Sequence, residues 1–357
     1  MPNTTCRLLS NGYKFQINQH NQLNLMPCCK WLGPKLLIGS DIDAQQYRAY
    51  LDSVDAGTDA HCRDCRYQEQ NSLRNSWRQL SFKLVPESAQ VGDASYLELQ
   101  LDTICNGGCI MCGPWHSTYW QQELGHSIMR VSKASKTDHV RQILDHVDMA
   151  HVRKILFLGG EPFLTDTDSR MLPHVPDPGL VTLQYTTNGS IMPDQLRQDQ
   201  WSRFGSVLIN FSIDGVGDRF NYVRYPLQWS QVQNNLLRMR DSMPESVQFQ
   251  INHTVNLLNL YYYDEFEQWY QNNFAHDRFG RAIGFHFNPA GGLLSPQTVP
   301  AKLLDRLGSK YAPDSKVMHS VTNTGAKTNV LEFLQTLDQR RGLDWHNVFP
   351  EISDCLC

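Results

Sequence analysis

The sequence predicts an α/β fold built around a parallel β-sheet, and two observations support this prediction. From about residue 94 onward, apolar strand-like segments alternate with helical segments. The segment Lys154–Leu158 contains a continuous apolar run, which is typical of a strand buried on both faces of a parallel sheet. Such alternation implies parallel strands joined by right-handed helical crossovers. Six of these units form either an open partial barrel or a doubly wound sheet, and hydrophobic periodicity alone does not choose between them.

Each strand is predicted from an alternating or continuous apolar pattern. The six predicted strands are Tyr96–Leu101, Lys154–Leu158, Val181–Tyr185, Ser206–Phe211, Val247–Ile251 and Ile283–Phe287. The helices between them are His139–Ala150, a segment near Asp194–Phe204, Gln231–Ser242 and Asp264–Phe274, with another that begins near Trp115. Two more helices, Ala301–Tyr311 and Asn329–Arg341, follow the last strand, and Asp344–Pro350 is predicted to be irregular.

The first 90 residues have a different character. Two strand-like runs, Tyr13–Ile17 and Gln22–Met26, flank the turn-prone stretch Asn18–Asn21 and predict a β-hairpin. A helix is expected over Ala44–Val54. We therefore expect a small cysteine-rich module over residues 1–90, the α/β core over residues 91–295, and a helical extension over residues 296–357.

Composition limits the classes of function. The chain has 357 residues, a formal net charge of −4 and no apolar stretch long enough to span a membrane. The polar segment Met1–Tyr13 lacks the apolar run of a signal peptide, so we expect a cytoplasmic protein with no membrane partner. The net charge and the absence of a long basic run argue against a nucleic-acid partner. Ten cysteines in such a protein suggest metal or redox chemistry rather than disulfides.

Three of these cysteines form a compact motif directly after the first core strand. Cys105, Cys109 and Cys112 have C-x3-C-x2-C spacing, and Gly107 and Gly108 let the loop curve tightly. Three thiolates can hold three irons of a [4Fe–4S] cluster and leave the fourth iron open to a small-molecule ligand. A zinc site, which usually needs four protein ligands, or unliganded cysteines are the alternatives.

The motif resembles the signature of the radical S-adenosylmethionine (SAM) superfamily. Further stretches match that family in order, each at the carboxyl end of a strand: Gly159-Gly160-Glu161-Pro162, Thr186-Thr187-Asn188-Gly189, Ser212-Ile213-Asp214-Gly215 and His253-Thr254-Val255-Asn256. Ligands bind at that end of parallel sheets. The resemblance covers about residues 94–290 and implies a partial (β/α)6 barrel of the TIM type.

The resemblance also implies cofactors and contacts. The open iron of the [4Fe–4S] cluster would chelate SAM, and reductive cleavage of SAM would give a 5′-deoxyadenosyl radical that abstracts a hydrogen atom. The residues that the resemblance assigns to SAM are Met111, Gly159, Gly160, Glu161, Pro162, Thr187, Asn188, Ser212, Asp214, Val255 and Asn256. A flavodoxin or ferredoxin would supply the electron.

Four upstream cysteines are candidates for a second, auxiliary [4Fe–4S] cluster: Cys6, Cys28, Cys62 and Cys65. The run from Cys6 through the hairpin to Cys28 resembles the start of a SPASM or twitch module, here placed before the barrel as in phage-type and bacterial twitch-domain radical SAM proteins. A structural zinc site would use the same four ligands, and free thiols are a further alternative. Because Cys28 and Cys29 are adjacent, only one of them can readily face a given metal, and the resemblance favours Cys28.

The resemblance leaves the substrate open. A radical SAM enzyme that modifies a peptide or protein side chain is one hypothesis. A radical SAM oxidoreductase or dehydratase that acts on an amino sugar or nucleoside is the second, and a non-catalytic iron–sulfur electron carrier is an alternative of another class. Cys355 and Cys357 end the chain, where a frayed tail is expected. If that tail instead folded over the barrel mouth, either thiol could donate a hydrogen atom.

Overall fold

The computed structural model describes residues 6–39, 43–70, 75–125, 133–321, 323–324 and 329–356. The chain divides into two compact units. The first unit consists of Met1–Cys105, Pro114–Thr186 and Pro193–Leu208. The second unit consists of Asn106–Gly113, Thr187–Met192 and Ile209–Cys357.

The first unit is built on parallel strands. Its strands are β1 (Gly12–Ile17), β2 (Leu23–Met26), β3 (Leu36–Leu37), β4 (Tyr96–Gln100), β5 (Lys154–Leu158), β6 (Thr182–Thr187) and the first residues of β7 (Ser206–Ser212). They are ordered β3-β2-β1-β4-β5-β6-β7. The strands β1, β4, β5 and β6 pair in parallel, whereas β2 pairs with β1 as the predicted antiparallel hairpin.

In the chain, the first helix of the first unit precedes β1, and the other helices of this unit lie between its strands. They are α1 (Arg7–Asn11), α2 (Ala44–Asp52), α3 (Arg63–Gln70), α4 (Trp77–Leu84), α5 (Thr118–Glu123), α6 (Lys133–His146), α7 (Thr167–Met171) and α8 (Gln195–Trp201). Their starts follow local capping chemistry. Ser76 and Gln79 form a capping box at α4, and the Asp194 carboxylate accepts a hydrogen bond from the Arg197 amide at α8.

The second unit contains the last residues of β7. It contains β8 (Val247–Val255) and β9 (Gly284–Pro289), which pair in parallel, and the short parallel pair β10 (Thr298–Val299) and β11 (Asn323–Thr324). Its helices are α9 (Gly217–Val223), α10 (Trp229–Ser242), α11 (Tyr263–Asn273), α12 (Ala301–Lys310), α13 (Lys316–Ser320), α14 (Val330–Arg341), α15 (Trp345–Val348) and α16 (Pro350–Leu356).

Short 3-10 turns complete the described structure: Ala60–Cys62, Met149–His151, Pro162–Leu164, Leu172–His174, Pro178–Leu180, Leu260–Tyr262 and Gly292–Leu294. No helix in the described part of the chain is both long and apolar enough to cross a bilayer.

An apolar row fixes the register of the first unit. Phe15, Leu99, Phe157 and Tyr185 lie opposite one another on β1, β4, β5 and β6, and each is at most 2% exposed. The Phe157 and Tyr185 rings stack with centroids 5.0 Å apart. A shift by one residue would turn this row to the other face of the sheet, so its burial specifies the register.

The predicted α/β class with parallel strands is confirmed. The six predicted core strands are present as β4 to β9, with ends that differ by a few residues, and β8 continues to Val255. Among the described strands, β3 and β9 each have one partner, so the sheet is open. The boundaries predicted at residues 90/91 and 295/296 stay predictions, and β1 pairs directly with β4 across the first of them.

The prediction of an irregular segment at 344–350, followed by a frayed end, is wrong. The segment forms α15 and the start of α16, and Trp345 and Phe349 are fully buried. The Asp344 carboxylate caps α15 by accepting hydrogen bonds from the amides of His346 and Asn347. The Phe349 ring packs edge-on against Tyr222, 5.3 Å between centroids, so apolar burial holds this tail in place.

Candidate functional site

The loop that carries the three clustered cysteines follows β4 without regular structure. Cys105 belongs to the first unit, and Cys109 and Cys112 belong to the second. In the first unit, the Thr118 hydroxyl accepts a hydrogen bond from the Cys105 amide and donates one to the Cys105 carbonyl, both at 3.1 Å. Thr118 is the first residue of α5, so the helix start fixes the backbone of Cys105.

In the second unit, the segment that follows α9 supports the cysteine loop. The amide of Gly108 donates to the Tyr225 carbonyl at 2.6 Å, and the amide of Ile110 donates to the Val223 carbonyl at 2.9 Å. These two backbone hydrogen bonds lie on either side of Cys109 and hold it beside residue 224, which lies between Val223 and Tyr225. That residue is Arg224, which the sequence motifs did not identify.

Arg224 connects two predicted site residues. Its Nη1 donates to Cys109 Sγ at 3.8 Å, and its Nη2 lies 2.5 Å from Asp214 Oδ2. Burial raises the pKa of Cys109, and the Arg224 guanidinium opposes that rise. Burial likewise raises the pKa of Cys112 to about 11. Arg224 thus brings positive charge to a loop whose thiols must ionise to bind a metal.

The Gly159-Gly160-Glu161-Pro162 segment lies against the start of the cysteine loop. The Glu161 amide donates to the Ile104 carbonyl at 2.7 Å. A Cβ on Gly160 would overlap the backbone of Ile104, so only glycine permits this approach. The Glu161 side chain is fully buried, and its Oε1 accepts a hydrogen bond from the Phe163 amide at 3.2 Å.

A chain of amide and hydroxyl groups lies beside the loop in the second unit. Asn188 Nδ2 donates to Asn106 Oδ1 at 2.9 Å, and Asn106 Nδ2 donates to Ser190 Oγ at 2.9 Å. Thr187 Oγ1 accepts a hydrogen bond from the Gly189 amide. Asn106 immediately follows Cys105 in sequence, so the predicted Thr187 and Asn188 lie on the segment that contacts the cysteine loop.

The remaining predicted SAM residues of the second unit lie at the ends of β7 and β8. Asp214, fully buried, accepts a hydrogen bond from the Thr254 amide at 2.6 Å. Asn256 Nδ2 lies 3.3 Å from Met111 Sδ. Ser212 ends β7 half-buried, and Val255 ends β8 buried. The structure therefore brings Met111 to Asn256, and Asp214 to Cys109 through Arg224, while their roles stay predictions.

The donor set suits an iron–sulfur cluster. The three cysteines have no disulfide partner, and the loop that carries them holds backbone amides fixed by Thr118, Tyr225 and Val223. Thiolates are the protein ligands of [4Fe–4S] clusters, and three of them leave one iron for another ligand. Among the described residues, no group of three or more His, Cys, Asp or Glu side chains is arranged for a single metal ion.

The four upstream cysteines surround one cavity in the first unit. Cys6, Cys28, Cys62 and Cys65 line it together with Leu9, Lys30, Trp31, Ala56, Trp77 and Arg78. Burial, followed by the charges of neighbouring thiolates, raises the pKa of Cys28 well above its usual range and that of Cys62 to about 12. Burial makes the thiols of Cys6, Cys28 and Cys62 costly to ionise on their own. Four cysteine side chains around one cavity therefore suit a metal cluster.

The adjacent Cys29 has different surroundings. It does not line the cavity; burial and the Glu98 carboxylate raise its pKa to about 12, while Lys14 lowers it. The two neighbouring thiols thus face different groups, and Cys28 is the one directed at the other cysteines. Which of them is a ligand stays a prediction.

The structure does not support a frayed, exposed Cys355. The side chain is buried on α16. Burial raises the pKa of Cys355, and Arg306 and Lys302 oppose that rise. Cys357 lies outside the described residues.

Comparison with known proteins finds a family model and several proteins that are similar to part of the chain. Residues 100–268 match the model of the Radical SAM superfamily. Molybdenum cofactor biosynthesis protein 1 of Dictyostelium discoideum is 29% identical over 140 residues, which is 39% of this chain and 21% of that protein. GTP 3′,8-cyclase of Stenotrophomonas maltophilia (strain R551-3) is 28% identical over 122 residues, 34% of each chain. The matched regions therefore span 21% and 34% of the length of these relatives.

Solved structures also resemble the chain. A crystal structure of Streptococcus suis SuiB bound to the precursor peptide SuiA is 12% identical, with a TM-score of 0.40 over 84% of this chain and 57% of that chain. A structure of native anSMEcpe with bound AdoMet is 16% identical, with a TM-score of 0.39 over 57% of this chain and 56% of that chain.

Proposed function

Because residues 100–268 match the model of the Radical SAM superfamily, we propose that this protein is a radical SAM enzyme in which Cys105, Cys109 and Cys112 hold the catalytic cluster. When bound and reduced, a [4Fe–4S] cluster supplies the electron that cleaves SAM to methionine and a 5′-deoxyadenosyl radical. The observation that carries the proposal is that the family-like motifs pack, within each unit, against the cysteine loop. Glu161 contacts it through Ile104, and Asp214 contacts it through Arg224.

We assign the contacts to SAM by the chemistry of each side chain. The buried carboxylate of Glu161 suits the SAM ammonium, and the adjacent Gly159 and Gly160 allow its methionyl part to approach the backbone. Arg224 suits the SAM carboxylate because its guanidinium carries five N–H donors, and the contacts to Cys109 and Asp214 leave some of them for a ligand. Further contacts are assigned to Met111, Pro162, Thr187, Asn188, Ser212, Asp214, Val255 and Asn256.

We assign a second, auxiliary [4Fe–4S] cluster to the cavity of Cys6, Cys28, Cys62 and Cys65, as in the twitch and SPASM subgroup. Four thiolates close such a site, so this cluster would pass electrons or shape the substrate pocket rather than bind SAM. A cytoplasmic flavodoxin or ferredoxin would reduce the protein.

We place the substrate in one of two classes. A peptide or protein side chain is the first, since auxiliary clusters of this type are common among peptide modifiers. A nucleoside or amino sugar acted on by an oxidoreductase or dehydratase is the second, and the similarity to GTP 3′,8-cyclase favours it.

The activity is tested by incubating dithionite-reduced, anaerobically purified protein with SAM and quantifying 5′-deoxyadenosine by chromatography. We expect product from the wild type and from Cys355→Ser, and none from Cys109→Ala. If the wild type gives no 5′-deoxyadenosine, the electron-carrier alternative replaces this proposal.

The auxiliary cluster is tested separately by iron and acid-labile sulfide analysis. Two [4Fe–4S] clusters contain about eight iron atoms per chain, and we expect about four in Cys62→Ala/Cys65→Ala. An unchanged iron content in that variant would contradict the auxiliary site and leave the SAM cluster standing. Zinc in the purified protein, lost in the same variant, would replace the auxiliary cluster by a zinc site.

A further inference from the structure

One face of the sheet in the first unit carries buried polar side chains. Lys14 on β1 and Glu98 on β4 lie directly opposite each other and are 7% and 1% exposed. Leu156 on β5 and Gln184 on β6 continue the same row. Parallel sheets buried on both faces are usually apolar throughout, and the opposite face of these strands is apolar. The charged pair therefore needs a reason other than packing.

The ion pair leaves hydrogen-bonding capacity unused. Lys14 Nζ donates to Glu98 Oε1 at 2.7 Å. Within the described residues, Glu98 Oε2 is buried and has no hydrogen-bond partner, and neither has the hydroxyl of Tyr96, two residues earlier on the same face of β4. An ammonium carries three N–H donors, and the bond to Glu98 uses one. Unpartnered polar atoms in a core cost free energy, so a donor and an acceptor kept side by side indicate a ligand.

Glu98 also lies on β4, the strand that leads into the cysteine loop. Gln100, the last residue of β4 and on the same face as Glu98, donates to His116 Nδ1 at 2.9 Å. Cys105 follows in the loop after β4, within the same unit. A ligand bound at Lys14 and Glu98 would therefore lie against the strand that positions the first cluster ligand.

We propose that Lys14 and Glu98 form a substrate subsite that binds a group with an N–H beside a C=O, namely a primary carboxamide or a lactam edge. The N–H donates to Glu98 Oε2, and the C=O accepts from Lys14 Nζ. The asparagine or glutamine side chain of a peptide has this edge, and so has guanine. This subsite rests on the proposed function, because only an enzyme of that kind would bind a substrate here.

The test compares probes that differ only in this edge, using saturation-transfer NMR on the full-length, anaerobically purified protein. The peptide arm uses N-acetylasparagine methylamide against the matched β-methyl ester of N-acetylaspartate methylamide. The nucleoside arm uses guanosine against O6-methylguanosine, which lacks the N–H and C=O. Removing a buried hydrogen-bonded edge weakens binding by about tenfold or more, so we expect at least this preference in one arm. The arm that shows it identifies the source of the edge.

The variants separate the subsite from the fold. Lys14→Met/Glu98→Leu replaces both charges by apolar groups of similar size, an exchange that buried pairs tolerate. We expect this variant to lose the preference, Glu98→Gln to reduce it, and the surface control Lys83→Met/Glu87→Leu to keep it. Circular dichroism and iron content check that each variant is folded.

Two results would overturn the subsite. The first is a wild type that binds both probes of each arm equally well, which would mean that only water completes the ion pair. The second is a preference for the probe with the N–H and C=O edge that survives in Lys14→Met/Glu98→Leu. Neither result bears on SAM cleavage, which is measured in separate samples. Conversely, a preference that behaves as expected in a protein that produces no 5′-deoxyadenosine would contradict the proposed function and keep the subsite.

Discussion

The buried network around Arg197 gives a stability prediction that can be worked out from contacts. Arg197 on α8 donates to Asp168 Oδ2 at 2.7 Å and Oδ1 at 3.0 Å, and to the Thr165 carbonyl at 2.7 Å. The Tyr185 hydroxyl donates to the same carboxylate at 3.0 Å. Arg197 and Asp168 are 3% and 2% exposed. Since Thr165 closely follows Pro162, this network holds the far end of the Gly159–Pro162 segment.

Arg197→Met removes the guanidinium and keeps much of the aliphatic chain. The Asp168 carboxylate then loses its buried counter-charge, and breaking such a pair from one side costs about 3–5 kcal/mol. The lost bond to Thr165 adds about 1 kcal/mol. We therefore expect the free energy of unfolding to fall by about 4–6 kcal/mol. With an m-value of about 3 kcal/mol/M, the urea midpoint falls by more than about 1 M.

Urea titrations followed by tryptophan fluorescence and circular dichroism measure this change. Arg203→Met, which removes an exposed arginine just after α8, is the control and should shift stability by less than about 0.5 kcal/mol. Arg197→Met/Asp168→Leu removes both charges and should recover part of the loss. A loss below about 1 kcal/mol in Arg197→Met, or a double variant less stable than the single one, would refute this description of the network.

Three further predictions test other parts of the structure. Gly160→Ala places a methyl group against the backbone of Ile104, just before the cysteine loop. We therefore expect isothermal titration calorimetry to show SAM binding that is weaker by at least about tenfold. The control Gly179→Ala, whose Cβ meets open space, should bind SAM as the wild type does. Burial lowers the pKa of His253 to about 4, so the unfolded chain takes up a proton that the folded chain does not. Stability should therefore fall from about pH 6.5 to pH 4 by more in the wild type than in His253→Phe, measured by urea titration; equal slopes would contradict the assignment. Trp345→Ala should cost about 3–5 kcal/mol in the same assay, against less than about 1 kcal/mol for the half-exposed Trp115→Ala, and similar small losses would contradict a packed tail.

Much of the fold could be predicted because its signals are local. The apolar run at Lys154–Leu158 and the alternation from Tyr96 are consequences of burial within single strands, and they matched β5 and β4. The tail had local signals as well, which the prediction did not use. Asp344 is a helix N-cap, and Pro350 stands at the first position of α16.

Contacts between distant segments could not be predicted in the same way. Arg224 lies 115 residues from Cys109, and no spacing rule relates an arginine after α9 to the cysteine loop. Lys14 and Glu98 are 84 residues apart, and they meet because β1 pairs with β4, a pairing that the sequence pattern did not indicate. Local patterns give the strands, whereas strand neighbours depend on the packing of the whole unit.

In the proposed enzyme, Cys105, Cys109 and Cys112 hold a cluster with one iron free for SAM. This arrangement is tested most directly by electron paramagnetic resonance of the reduced protein, using Cys62→Ala/Cys65→Ala to remove the auxiliary signal. We predict a reduced [4Fe–4S] signal whose g-values shift when SAM is added. A signal that is unchanged by SAM, or no cubane signal from protein with all three cysteines intact, would contradict the account.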